Sequence, residues 1–129
     1  MKYPEFLAKV RERGEYGSQE ETERVIRTVL AVLGTRLAGG ESHDLAAQLP
    51  QQVADVLRVQ SAEGSAMSLD QFLGKIATRL GSASIETARW DASAVLSTMA
   101  ESIAGGELNQ VLSQLPSSFS SLFGHPELA

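Results

Sequence analysis

The chain repeats itself at one fixed offset, and no other feature limits its fold as strongly. Phe6, Leu7, Lys9, Val10 and Arg13 recur as Phe72, Leu73, Lys75, Ile76 and Arg79. Ala38-Gly39-Gly40-Glu41 recurs as Ala104-Gly105-Gly106-Glu107, and Gln48-Leu49-Pro50 as Gln114-Leu115-Pro116. Self-similarity of this kind means one structural unit built twice, so each half tests the reading of the other.

Each unit reads as four helices. In the first, Pro4 suits an opening turn because its missing N–H would have had no partner there, and Phe6, Leu7 and Val10 follow at helical spacing. That helix is expected to stop near Gly14 and Gly17, and Ser18 opens the next, with Glu21 placed to complete a capping box. Val25, Ile26, Val29, Leu30, Leu33 and Leu37 make one apolar stripe along a central helix near residues 19 to 38, which Gly39 is expected to end in a left-handed conformation. A short helix over Ser42 to Gln48 follows, and Pro50 starts a fourth with Val53, Val56 and Leu57 facing the core. The second unit repeats the plan. Ser68 and Gln71 form a capping box, and Leu69, Phe72, Leu73, Ile76 and Leu80 an apolar face that Gly81 ends. Ile85, Ala88, Ala92, Val95, Leu96, Met99 and Ile103 line a long helix from Ser84 to Ala104, which Gly105 closes. Leu108, Val111, Leu112 and Leu115 lead to Pro116, then Phe119, Leu122 and Phe123 precede a tail at Gly124-His125-Pro126. β-branched residues fall at helical intervals, and no Asn-Gly or Asp-Gly hairpin turn occurs. The expected fold is all-α: two tandem four-helix repeats, about 3–58 and about 68–123, joined by a small polar linker at 59–67 and packed with pseudo-symmetry as one helical domain. A lone unit of about 60 residues is near the size at which a core becomes insufficient, so docking of the units is expected to supply much of the stability.

Composition narrows function by exclusion. There is no cysteine, which removes thiol catalysis, cysteine zinc sites and disulfides. No apolar run approaches the ~20 residues of a membrane span, and Met1-Lys2-Tyr3-Pro4-Glu5 does not resemble a secretory leader. A cytoplasmic protein without a membrane partner is the expectation. A net charge of -5 repels phosphate backbones, so no nucleic-acid partner is expected.

Taken together, Tyr3-x-x-Phe6-Leu7, the long amphipathic helix, Leu37-Ala38-Gly39-Gly40-Glu41 and Ala47-Gln48-Leu49-Pro50, with their second copies, resemble the bacterial DUF2267 family over essentially the whole chain. The resemblance implies a helical fold and brings no established catalytic residues. The second copy departs from the family's usual look in being poor in charge and rich in serine and alanine.

No reaction can be read from the residues: no catalytic, cofactor-binding or metal-ligating set is identified. The duplicated Gly-Gly-Glu reads as helix termination rather than an anion cradle, since Glu41 and Glu107 would compete with an incoming anion. Gln-Leu-Pro reads as a core leucine followed by a turn. His43 stands where the other unit has Asn109, a capping or solvated position, and His125 belongs to the tail. Arg11, Arg13, Arg24, Arg27, Arg36 and Arg58 fall in the first unit, against Arg79 and Arg89 in the second, and interleave with acids as a solvated face. Trp90 stands out. The only tryptophan, it aligns with Arg24 and falls on the polar side of its helix with Ser97 and Glu101. The simplest role is packing against the other unit; the functional one is a contact surface of Trp90, Ser97 and Glu101 for a protein partner or a second copy, with alanines and serines around it that allow close helix approach. The leading expectation is a non-enzymatic protein-interaction module. The alternative is a small-molecule or lipid carrier with an apolar pocket between the repeats beside Phe6, Phe72, Met99 and Phe119.

Overall fold

The caps and breakers in the sequence begin most of the helices where expected, and the two long helices end short of the glycines expected to close them. The structure, a computed structural model, describes residues 1–37, 39–58, 66–81 and 84–124. Among these there are eight helical elements and no strand: α1 (Tyr3–Gly14), α2 (Gln19–Arg36), α3 (Gly39–Ala46), α4 (Gln51–Arg58), α5 (Leu69–Leu80), α6 (Ile85–Ser102), α7 (Gly105–Ser113) and a closing 3-10 helix (Ser117–Phe123). Under the repeat Tyr3 corresponds to Leu69 and Gly14 to Leu80, as Gln19 does to Ile85 and Arg36 to Ser102, so α1 matches α5 and α2 matches α6 at both ends. Most of the expected linker, residues 59–65, and the tail from His125 lie outside the described residues.

Ser68 and Gln71 close both arms of a capping box: Gln71 N–H donates to Ser68 Oγ (3.2 Å) and Ser68 N–H to Gln71 Oε1 (2.8 Å). At Ser18 only one arm forms. Glu21 N–H donates to Ser18 Oγ (3.1 Å), while the Glu21 carboxylate accepts from Gly17 N–H (3.2 Å). α1 stops at Gly14, within the expected stretch. Glu15, not Gly14 or Gly17, takes the left-handed capping conformation (φ 58, ψ 42), at the position where α5 has Gly81 (φ 68, ψ 19).

Gly39 and Gly105 open the following short helices instead of closing the long ones. α2 ends in extended backbone at Leu37 (φ -82, ψ 147) and α6 at Ile103 (φ -120, ψ 159). The Leu37 side chain is fully buried in this extended backbone, so the chain has left the helix before any glycine is reached. The segment after Pro116 is helical as expected but wound as a 3-10 helix. Ser120 Oγ donates to Ser117 O (2.8 Å) and Ser121 Oγ to Ser118 O (3.4 Å), bonds to carbonyls three residues back that suit the tighter winding.

Each first helix packs on the long helices of both halves, α1 on α6 and α2, and α5 on α6 and α2, and α2 touches α6. α4 covers α2, the closing helix covers α6, and α3 meets α7 at one end. Residues 91–99 of α6 are all buried. A helix covered on every side needs small residues to let its neighbours in, and Ala92, Ser93, Ala94 and Ser97 supply them. Phe72 and Phe119 meet edge to face at 5.2 Å within the core, where truncating either ring to alanine costs about 3–5 kcal/mol. No helix among the described residues is long and apolar enough to cross a membrane.

Candidate functional site

The stripe nominated by sequence, Trp90, Ser97 and Glu101, lies along α6 where α1 packs against it. Trp90 Nε1 donates to the Gly14 carbonyl at the end of α1 (3.0 Å). One guanidinium, Arg13, serves the rest of the stripe: its Nη1 donates to Ser97 Oγ (3.2 Å) and Thr98 Oγ1 (3.0 Å), and its Nη2 pairs with the Glu101 carboxylate. Lys9 Nζ reaches the other oxygen of that carboxylate at 3.3 Å. The Arg13 hydrogen bond holds the Glu101 carboxyl below its ordinary value; its slight burial works against this and Lys9 adds to it. Ser97 is only 2% exposed, so another molecule reaching it must first displace α1. The structure thus brings the three residues together, against a helix of the same chain.

A second polar pair sits in the same seam. Tyr16 Oη donates to Asp91 Oδ1 at 2.5 Å. Burial pushes the Asp91 carboxyl above its ordinary value; the Tyr16 hydrogen bond opposes the rise and the Glu21 charge adds to it. Burial also raises the Tyr16 hydroxyl, further still with Asp91 beside it. The tyrosine therefore stays a neutral donor. Gly14 makes room for it, since a β-carbon there would overlap the Tyr16 ring. Sequence reasoning passed over this pair, although a signal was present. Asp91 aligns with Val25, a core residue 4% exposed, and a carboxylate in a core slot must find a donor.

Some of the contacts between the halves fall on residues that correspond at the sequence offset. As Trp90 donates to Gly14 O, Arg24 Nη2 donates to Leu80 O, also at 3.0 Å. Arg36 Nε donates to Met67 O (3.3 Å), and Ser102 Oγ lies 3.3 Å from Met1 Sδ. Gln48 of the duplicated Gln-Leu-Pro accepts from Ala104 N–H (2.7 Å), ahead of α7 in the other half. The matching position for Gln114 is Ala38, outside the described residues. The glutamine that sequence reading set aside is thus a brace between halves.

The four residues named beside the alternative apolar pocket lie in the core. Phe6, Phe72, Met99 and Phe119 are fully buried among other side chains. Open hollows lie on outer faces: one along α2 between Glu20, Glu23, Arg24 and Arg27, and one of about 560 Å3 along α5 between Gln71, Gly74, Lys75, Thr78 and Arg79. Ile85, 43% exposed, is the one large hydrophobic side chain open to solvent among the described residues. His43 is exposed in the last turn of α3. Glu107 Oε1, in the first turn of α7, is enclosed without a hydrogen-bond partner among the described residues. These contain no group of three or more His, Asp or Glu residues placed to hold a metal ion.

A family model described as "Uncharacterized conserved protein (DUF2267)" matches residues 3–122. No curated protein matches the chain.

Proposed function

The chain belongs to the DUF2267 family, and we propose that it is a non-enzymatic, cytoplasmic interaction module that binds a protein partner through the outer face of its second half. In this reading residues 1–129 form one domain of two tandem four-helix repeats, about 3–58 and about 68–123, related by pseudo-symmetry. The matched contacts Trp90–Gly14 and Arg24–Leu80 support that relation, because exchanging the halves maps one bond onto the other. Trp90, Ser97 and Glu101 serve here as intramolecular braces that fix the scaffold.

One observation carries the binding role. The α5 face presents Lys75 and Arg79 beside an open hollow, and neither has an ion-pair or hydrogen-bond partner among the described residues. Cations left unpaired on a chain of net charge -5 suit a partner better than they suit the fold. Native mass spectrometry of the protein taken from its own cells is the test. A retained protein partner supports the module; a bare monomer, or a tightly held small molecule in place of any partner, overturns it.

A further inference from the structure

On the interaction reading, the chemistry of the partner can be read from the chain's own first half. Lys9 and Arg13, four residues apart on α1, close on the carboxylate of Glu101, which a helix packed against α1 presents to them. Carried across by the repeat, the cation pair is retained as Lys75 and Arg79 on α5, but the acid is not: the position matching Glu101 is Thr35. The second half therefore keeps both jaws of a carboxylate clamp and lacks the carboxylate.

Gly74 is a second, independent sign. A glycine in the middle of a helix is unfavourable relative to alanine, and the first half has Ala8 at this position. No packing requires the exchange, since a β-carbon on Gly74 would meet nothing within 4 Å. What the glycine does is deepen the hollow that Gln71, Lys75, Thr78 and Arg79 surround.

We infer that the α5 hollow is a docking site for an acidic helix of a partner protein, whose glutamate or aspartate carboxylate takes between Lys75 and Arg79 the place that Glu101 takes between Lys9 and Arg13. The internal clamp argues for this occupant, because its own carboxylate is borne by a helix packed against the cation-bearing one. Gln71 and Thr78 add polar groups along the rim, and the glycine floor lets a helix backbone come close.

The experiment is a titration of the full chain, isotope-labelled for amide NMR, with an alanine-rich helical peptide bearing glutamates four residues apart and with its glutamine twin. The glutamate peptide is expected to shift the amides around residues 71–79 saturably, and the twin to bind at least about tenfold more weakly. Both K75Q/R79Q and T35E are expected to abolish the shift, the first by removing the jaws and the second by filling them from within. Equal binding of the twin, a T35E variant that binds undiminished, or inorganic phosphate shifting the same amides as strongly would overturn the inference. So would concentration-dependent shifts without peptide, which would assign the face to a second copy. A partner retained in native mass spectrometry beside a silent titration would sink the acidic helix and leave the module standing. No retained partner would remove the module whatever the peptide does.

Discussion

At position 15 a glutamate holds a backbone conformation that glycine holds at position 81. A β-carbon in the left-handed region crowds the following carbonyl and glycine has none, although glycine's greater freedom when unfolded offsets part of the gain. Glu15→Gly is therefore expected to stabilise the protein by about 0.5–1 kcal/mol, and Gly81→Glu to destabilise it by a similar amount, read as opposite displacements of the urea midpoint. Asp91 supplies a pH dependence whose sign can be worked out. A carboxyl raised by burial binds its proton more tightly in the folded state than in the unfolded one, so its ionisation costs stability as the pH climbs from the ordinary aspartate value through the folded one. An asparagine keeps an oxygen for the Tyr16 hydroxyl and carries no charge. The difference in stability between D91N and its parent should shift in favour of D91N as pH rises through that window and level off above it, followed by urea midpoints between about pH 3 and about pH 7. Glu101 runs oppositely: its lowered carboxyl stabilises the fold above its ordinary value, and this is lost as the pH falls. An unchanged profile in D91N would mean that Asp91 is as well solvated folded as unfolded.

At the scale of elements, the C-terminus of each first helix is capped by a side chain from the other half, Gly14 O by Trp90 and Leu80 O by Arg24. Trp90→Phe keeps an aromatic ring in the seam and removes the donor. It is expected to cost about 1 kcal/mol and to lower hydrogen-exchange protection in the last turn of α1, with the last turn of α5 unchanged. Arg24→Met should act on α5 instead, by a few tenths of a kcal/mol, because its guanidinium bond is exposed. Loss of protection spread evenly over both helices would mean that Trp90 supports the core generally and caps nothing. The helices themselves were legible because Phe6 and Val10, or Phe72 and Ile76, show their buried face by spacing alone. Their ends were less so. Local rules assign Gly39 and Gly105 to a cap, whereas α2 ends at Leu37, which is buried, and α6 at Ile103, and which neighbours those residues meet is a tertiary fact. The 3-10 winding after Pro116 left a trace in the sequence, since Ser120 and Ser121 stand three residues after serines whose carbonyls they take.

For the whole molecule, spacing along a helix tells which face is apolar and not which neighbour covers it. Trp90 and Ser97 fall on the polar side of their own helix, yet α1 covers that side, and the groups that satisfy them, Gly14 O and the Arg13 guanidinium, belong to the opposite half of the sequence. Laying one half of the sequence over the other holds more of this information than either half alone: Asp91 opposite Val25, and Thr35 opposite Glu101, mark where the two halves differ. The same packing between the halves makes a prediction about connectivity. With α1 seated on α6 and α5 on α2, either half alone would leave a long helix bare along the face that its partner's first helix covers. The covalent link then serves chiefly to hold the halves at an effective concentration on the order of millimolar. A protease site inserted between Arg58 and Ala66 should therefore allow the folded chain to be cut without falling apart. The cut protein is expected to elute as a single one-to-one complex and to melt at a lower temperature that rises with protein concentration, as the uncut chain's does not. Two separate species, each folded and melting on its own, would show instead that each half completes its own core, and the crossed contacts at Gly14 and Leu80 would then be incidental to stability.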